Sequence, residues 1–285
     1  MSGLTFDLGS TRVTLVSDGT FALDGGAMFG IVPRALWSKV ITADGENRVR
    51  LGLNCLLVRC AGHVMVVDTG IGEKTDARFN ARHAVRRGSG LLGALEEEGV
   101  SAAEVTDVIN SHLHWDHAGG NTRRGEGEKA VATFPRATYH CQRGEFSFAR
   151  APTPRTRGSY HAEDYEPLAA AECLHLLDGE TEIAPGVTVH PMPGHLPHMQ
   201  AVSISGREGT LFYPADLIPT AHHLSPAWIM AYDLEPLTTQ VMKQQWLERA
   251  AREKWTVVFC HDACRPAGKI REQDGRWVLR AEGDD

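Results

Sequence analysis

Four side chains able to hold a metal ion fall within six residues of one segment, Ser111-His112-Leu113-His114-Trp115-Asp116-His117-Ala118-Gly119-Gly120-Asn121. They are His112, His114, Asp116 and His117. A helix cannot turn all four toward one point. A strand end running into a tight loop can, because alternate side chains of an extended run share a face. His112 and His114 are then expected to point together, and the turn brings Asp116 and His117 to a second point nearby. Ala118-Gly119-Gly120 lets the backbone leave without crowding. Zinc takes imidazole nitrogen and carboxylate oxygen, and its catalytic sites keep a position for water. Two such ions about 3.5–4 Å apart can clamp both ends of a displacement. Each needs about three protein ligands, so the chain must bring more from elsewhere. Three candidates lie just past β-rich runs: His195 after Val187 to Val189 and Pro193-Gly194, Asp216 after Leu211-Phe212-Tyr213-Pro214-Ala215, and His261 after Val257-Val258-Phe259-Cys260. Strand ends are where layered α/β proteins place their sites. A carboxylate such as Asp216, with two oxygens, can bridge two cations.

The rest of the chain bounds what can surround such a centre. Its 285 residues are 42% apolar and 23% charged, the balance of a folded globular chain. No apolar run approaches the roughly 18 residues of a membrane span. MSGLTFDLGSTRV lacks a basic stretch followed by an apolar core, so a cytoplasmic location is expected. The net charge of -7 comes without a basic stripe, which counts against a nucleic-acid partner. The six cysteines are scattered and expected to be reduced thiols; Cys260 and Cys264 lack a second close pair that would complete a zinc site. His63, His83, His140, His161, His175 and His190 read as ordinary surface or core histidines, whereas His198, His222 and His223 lie close in sequence to the candidate ligands.

Local patterns predict a strand over Arg12 to Ser17 closed by an Asp18-Gly19 turn, and a Gly-rich loop over Leu23 to Trp37. Further strands are expected at Cys55 to Arg59, His63 to Val67, Val108-Ile109, Ala137 to His140, Leu174 to Leu177, Val187 to Val189, Val202 to Ser205, Thr210 to Tyr213 and Trp255 to Phe259. Helices are expected at Leu91 to Glu98, after the capping box Ser101-Ala102-Ala103-Glu104, and from Pro236 to about Lys254 with Val241, Trp246, Leu247 and Ala250 near one face. Strands alternating with helices and hairpins in both halves point to an α/β layered protein, residues 1–285 as a single domain.

Taken together and in order, Val67-Asp68-Thr69-Gly70, the cluster from His112 to His117, Gly194-His195, Asp216 and His261 resemble the signature of the metallo-β-lactamase-fold hydrolases. The resemblance spans nearly the whole chain and implies a four-layer αβ/βα sandwich with the site at one edge of two packed sheets. Leu23-Asp24-Gly25-Gly26-Ala27-Met28-Phe29-Gly30, Trp228-Ile229-Met230-Ala231-Tyr232-Asp233 and Phe259-Cys260-His261-Asp262-Ala263 resemble the quorum-quenching N-acyl homoserine lactonases; the first is also similar to methyl parathion hydrolases. By the family pattern His112, His114 and His195 hold one ion, Asp116, His117 and His261 the other, with Asp216 between them and Asp68 bracing the ligand loops.

Two departures from that pattern bear on activity. Better-studied lactonases carry a substrate-orienting tyrosine three residues after the bridging aspartate; here Pro219 stands there, so His223, Tyr232 or a water is expected to substitute. Relatives also often have a histidine four residues after the one matching His195; here that position is Met199, with His198 one residue earlier as a candidate bracing residue.

The expected activity is opening of an N-acyl homoserine lactone by a hydroxide bridging two divalent ions, zinc first, with manganese, iron or cobalt also compatible. Asp116 would pass the proton to the leaving alkoxide. A phosphotriester or phosphodiester hydrolase on the same metals is the second reading, and a metal-binding sensor or redox module the third. An apolar acyl chain needs an apolar wall, for which Met28, Phe29, Ile31, Trp115, Trp228, Ile229 and Met230 are candidates. The expected partner is a small-molecule ester, lactone or phosphoester, with no nucleic acid or membrane, and the apolar N-terminal loop could serve a homodimer.

Overall fold

The computed structural model describes residues 3–280. Two sheets divide the chain in half. The first holds β1 (Thr5–Asp7), β2 (Thr11–Asp24), β3 (Arg48–Cys60), β4 (His63–Val67), β5 (Asp107–Ile109), β8 (Thr138–Gln142) and β9 (Leu174–Leu177), adjacent in that order. Between them, β6 (Thr122–Arg124) and β7 (Ala130–Ala132) form a separate ribbon. The second sheet runs in simple chain order through β10 (Thr181–Ala184), β11 (Val187–Pro191), β12 (Gln200–Gly206), β13 (Gly209–Tyr213), β14 (Thr256–Val258), β15 (Ala267–Gln273) and β16 (Arg276–Arg280).

Period-two alternation decides which face of each strand meets which layer. On β3, Leu56 and Val58 pack in one cluster with Val187, Val189, Val202 and Ile204 of the other sheet. Their neighbours Cys55 and Leu57 pack with Leu91 and Leu95 of the helix Gly90–Glu97 and Leu168 of the helix Glu166–Ala170. Both faces of the first sheet are therefore buried, one under the second sheet and one under helices. On the far side, Trp246 of the helix Pro236–Arg252 stacks on Phe212 at 4.9 Å between ring centroids. The layers are helix, sheet, sheet, helix, an α/β sandwich as expected. A third cluster, built from Phe21, Met28, Phe29, Trp37, Leu51 and Trp115, fills the end where β2 and β3 run beyond the sandwich.

This topology brings loops from both sheets to a common edge. β4, β5 and β8 are mutually parallel, so the residues after Val67 and Ile109 leave together. β11 and β13 are each antiparallel to β12, and β13 is parallel to β14, so the residues after these three strands also leave at one edge. No helix among the described residues is long and apolar enough to cross a membrane.

Several local expectations need correction. β2 does not stop at Ser17: it continues to Asp24 past a register shift between Ser17 and Gly19. Asp18-Gly19 is thus a bulge, and it turns the Asp18 carboxylate inward to accept from the backbone of Ile71, Gly72 and Leu91. The segment read as a loop from Leu23 contains two short helices, Gly25–Phe29, capped by Asp24, and Arg34–Trp37. The Ser101–Glu104 box does form its backbone bond at 2.9 Å, but no helix follows, because Val105 enters the core and the chain extends into β5 at Asp107. The helix Pro236–Arg252 buries Thr239, Lys243, Leu247 and Ala250; Val241, two residues out of that phase, is 54% exposed.

These assignments predict contrasting costs. Leu57→Ala, at a site with no exposure, lowers the unfolding free energy by about 2–5 kcal/mol. Val241→Ala lowers it by less than about 0.5 kcal/mol. Urea denaturation of the two variants checks the helix and strand faces; equal costs would contradict them.

Candidate metal centre

The centre begins with Asp68, where β4 ends. This residue takes a left-handed backbone, φ 55°, which folds its carboxylate back under the next strand's exit. It accepts from Ser111 N–H and Ser111 O–H, both at 2.7 Å, and from Tyr213 O–H at 2.9 Å. His117 Nδ1 lies 2.8 Å from the same carboxylate. One buried acid thereby fixes the start of the cluster, its fourth residue and the second sheet. Gly119 and Gly120 allow the close return of the backbone: a Cβ on either would come within 2.3 Å of the carbonyl of Ile71 or Thr69.

Six of the seven expected ligands converge on two adjoining points. In one group, ligand atoms of His112, His114, His195 and Asp216 all lie within 4.8 Å of each other. In the second, the same holds for His117, His261, Asp216 and Cys260. Asp216 is common to both. Its Oδ2 is 3.4 Å from His195 Nε2 and 4.0 Å from His112 Nε2, while Oδ1 is 3.2 Å from His117 Nε2 and 3.1 Å from His261 Nε2. The seventh expected ligand, Asp116, sits on the open side of the second group, with Oδ2 3.6 Å from His261 Nε2. Cys260, expected from its spacing to be an ordinary reduced thiol, belongs to the second group. Its thiol meets Asp216 Oδ1 at 3.2 Å from the closed side.

The outer edges of the rings are anchored. His195 Nδ1 is 3.0 Å from Asp233, which also accepts from the Thr239 hydroxyl at 2.8 Å. His261 Nδ1 reaches the Gly52 carbonyl at 2.9 Å, and His112 Nδ1 the Ser111 hydroxyl at 3.0 Å. With one nitrogen engaged outward, each ring turns the other inward, the usual support for a metal-binding imidazole.

The inward atoms fit cations. His117 Nε2 and His261 Nε2 face each other at 3.1 Å, and His195 Nε2 faces His114 Nδ1 at 3.2 Å. Each pair can share one proton at most, and a cation satisfies both lone pairs. Among the described residues His112 Nε2 is buried without a hydrogen-bond partner, and so is His114 Nε2, the nitrogen its ring turns away from His195. Burial, reinforced by neighbouring imidazoles, holds His112 and His114 well below the ordinary histidine range, in the neutral form a ligand needs. Burial also opposes charge on His117, but Asp216, Asp68 and Asp116 outweigh it and raise that group.

A cavity of about 480 Å³ opens over this floor. Met28, Trp115 and Met230 line it. Phe29 does not: it is buried behind the wall, stacked between Trp37 and His223. Trp228 packs edge-on to Phe29, Ile229 is also outside the lining, and Ile31 is 90% exposed to solvent. His223 is no substitute for a catalytic tyrosine, since its two nitrogens are taken by the Thr220 hydroxyl at 2.8 Å and the Met28 carbonyl at 2.9 Å. His198 is exposed and lies against Gly144, with no hydrogen bond or ion pair to the cluster among the described residues; Asp233 occupies the bracing position instead. Tyr232, by contrast, lines the cavity, as does His83.

Sequence reasoning also missed Glu145. Fully buried, it accepts from Leu113 N–H and from the Tyr160 hydroxyl, both at 3.0 Å, and burial pushes its carboxyl up to about 7. Nothing in its helical context, Arg143–Arg150, marks it as different from a solvated acid.

Comparison with known proteins agrees with this geometry. The family description "Metallo-beta-lactamase superfamily" matches residues 49–261. The chain belongs to that superfamily and is a hydrolase of it. An N-acyl homoserine lactonase of Bacillus cereus is 24% identical over 78% of this chain and 85% of its own length. Among solved structures, a probable metal-dependent hydrolase from Staphylococcus aureus superposes with a TM-score of 0.88 at 26% identity, covering 96% of this chain and 99% of that one. The dizinc quorum-quenching lactonase AidC gives a TM-score of 0.80 at 22% identity, covering 99% and 97%, and shares the fold.

Removing the Asp68 charge should loosen the centre without removing a ligand. Asp68→Asn is expected to weaken metal affinity about 10–100-fold, read by competition with a chelating dye. Unchanged affinity in a folded variant would contradict the bracing role.

Proposed function

We propose that the chain opens the lactone ring of N-acyl homoserine lactones with two divalent cations, zinc first, held in this centre. His112, His114 and His195 hold one, Asp116, His117 and His261 the other, and Asp216 reaches both. The observation that carries this reading is the Asp216 carboxylate, with one oxygen directed at each histidine group. When bound, the cations supply Lewis acidity toward the scissile carbonyl and acidify water to near neutrality.

The remaining work falls to side chains. Asp116, on the cavity side of the floor, takes the proton of the water that bonds to the carbonyl carbon and delivers it to the alkoxide released as the ring C–O bond breaks. Tyr232 stands in for the tyrosine that Pro219 replaces. Burial, with Asp24 and Asp116 nearby, pushes its phenol up to about 12, so it stays protonated and able to donate to an oxygen of the substrate. Met28, Trp115 and Met230 cover the acyl chain and keep water from it. Ile31, Leu36 and Val40 are 90%, 49% and 45% exposed, and they support a homodimer through the N-terminal segment.

A panel of lactones, aryl phosphotriesters and thioesters tests the reading on zinc-replete protein. Lactones are expected to turn over fastest. Tyr232→Phe should lower lactone kcat by about tenfold or more, the scale of one lost donor to a developing charge. His117→Ala should abolish turnover of every substrate. Preferred phosphotriester turnover would replace the lactonase reading, and full activity in His117→Ala would overturn the two-ion centre.

A further inference from the structure

The wall of the cavity carries two guanidinium groups that the chemistry at the floor does not use. Arg82, the last residue of the helix Ala77–Arg82, and Arg155, in the loop after Arg143–Arg150, both line it. Among the described residues neither forms an ion pair with a carboxylate, so both keep their charge free for a ligand in the cavity. Arg155 donates through Nη2 to the Ala231 carbonyl at 2.6 Å, which ties its head to the segment that also presents Met230 and Tyr232. Among the described residues the carboxylates in the lining are Asp116 and Asp216, both on the ligand-bearing floor. Two divalent cations seated there would more than offset both carboxylates, so with the centre loaded the cavity would be net positive, with Arg82 and Arg155 as the charged groups of its wall. Leu23, Leu196 and Leu234 add apolar surface to the same cavity.

A neutral acyl chain offers a guanidinium no opposite charge. A chain ending in a carboxylate does, because that group matches the planar donor fork of arginine. Resting on the ester-hydrolase reading above, we infer that the substrate is a lactone or ester whose acyl chain carries a terminal carboxylate, read by Arg82 and Arg155. The site selects by charge at the far end of the substrate, while the floor acts on the carbonyl at the near end. Both arginines are exposed, so each contact is screened and its contribution is modest.

The test compares two homoserine lactones of equal acyl length, one ending in a carboxylate and the other in its methyl ester, on zinc-replete full-length protein. The carboxylate form is expected to have a kcat/KM about three- to tenfold higher at low salt, from two exposed charge pairs. That ratio should shrink as salt is raised and fall toward one in Arg82→Gln/Arg155→Gln. A wild-type ratio at or below one, or a ratio unmoved by the double substitution, would overturn the inference while leaving the hydrolase reading intact. Hydrolysis of neither lactone would instead count against the lactonase reading. Calorimetry with adipate then decides the charge claim alone: weaker binding to the double variant supports it, and equal or no binding to both proteins overturns it.

Discussion

Asp216 is the point on which both halves of the centre depend. It is buried, its two oxygens face two separate sets of imidazole nitrogens, and a thiol meets it from beneath. A carboxylate in such a place would be costly without compensating charge. Burial works against its ionisation, but His117, His261 and His195 hold its pKa well below the usual carboxylate range. The surrounding rings in turn have their lone pairs crowded together at 3.1–3.2 Å. Each of these pairs can share at most one proton, and a cation held between the rings would satisfy both lone pairs.

The sandwich supplies the force that holds this arrangement together. Burying both faces of the first sheet fixes where β4 and β5 end, and packing the second sheet against it fixes β11, β13 and β14. Ligands separated by more than a hundred residues can then meet without any one loop having to be rigid. Asp68 links the two sheets directly through Tyr213 and His117. Glu145 supports the cluster from another side through Leu113 and Tyr160.

Much of this was legible in the chain. The density of His112, His114, Asp116 and His117 marked the floor, and strand-end positions identified His195, Asp216 and His261. Those signals are local: residue type next to a hydrophobic run. What could not be read depends on which distant groups meet. His223 is adjacent in sequence to the site but is consumed by Thr220 and Met28. His198 follows His195 by three residues yet faces solvent, while Asp233 reaches His195 from a loop beyond β13. Phe29 and Trp228 are as apolar as Met28 and Met230, and only packing puts one pair behind the wall and the other on it. Asp18-Gly19 carries ordinary turn residues, and its role as a bulge follows from the partner strand.

A centre in which two cations share the Asp216 carboxylate is open to direct measurement. Anomalous diffraction at the zinc edge, from crystals of zinc-loaded protein, tests it most directly. Two peaks per chain are expected, one between His112, His114 and His195 and one between His117 and His261, with Asp216 oxygens at bonding distance from both. A single peak, or none at either position, would contradict it.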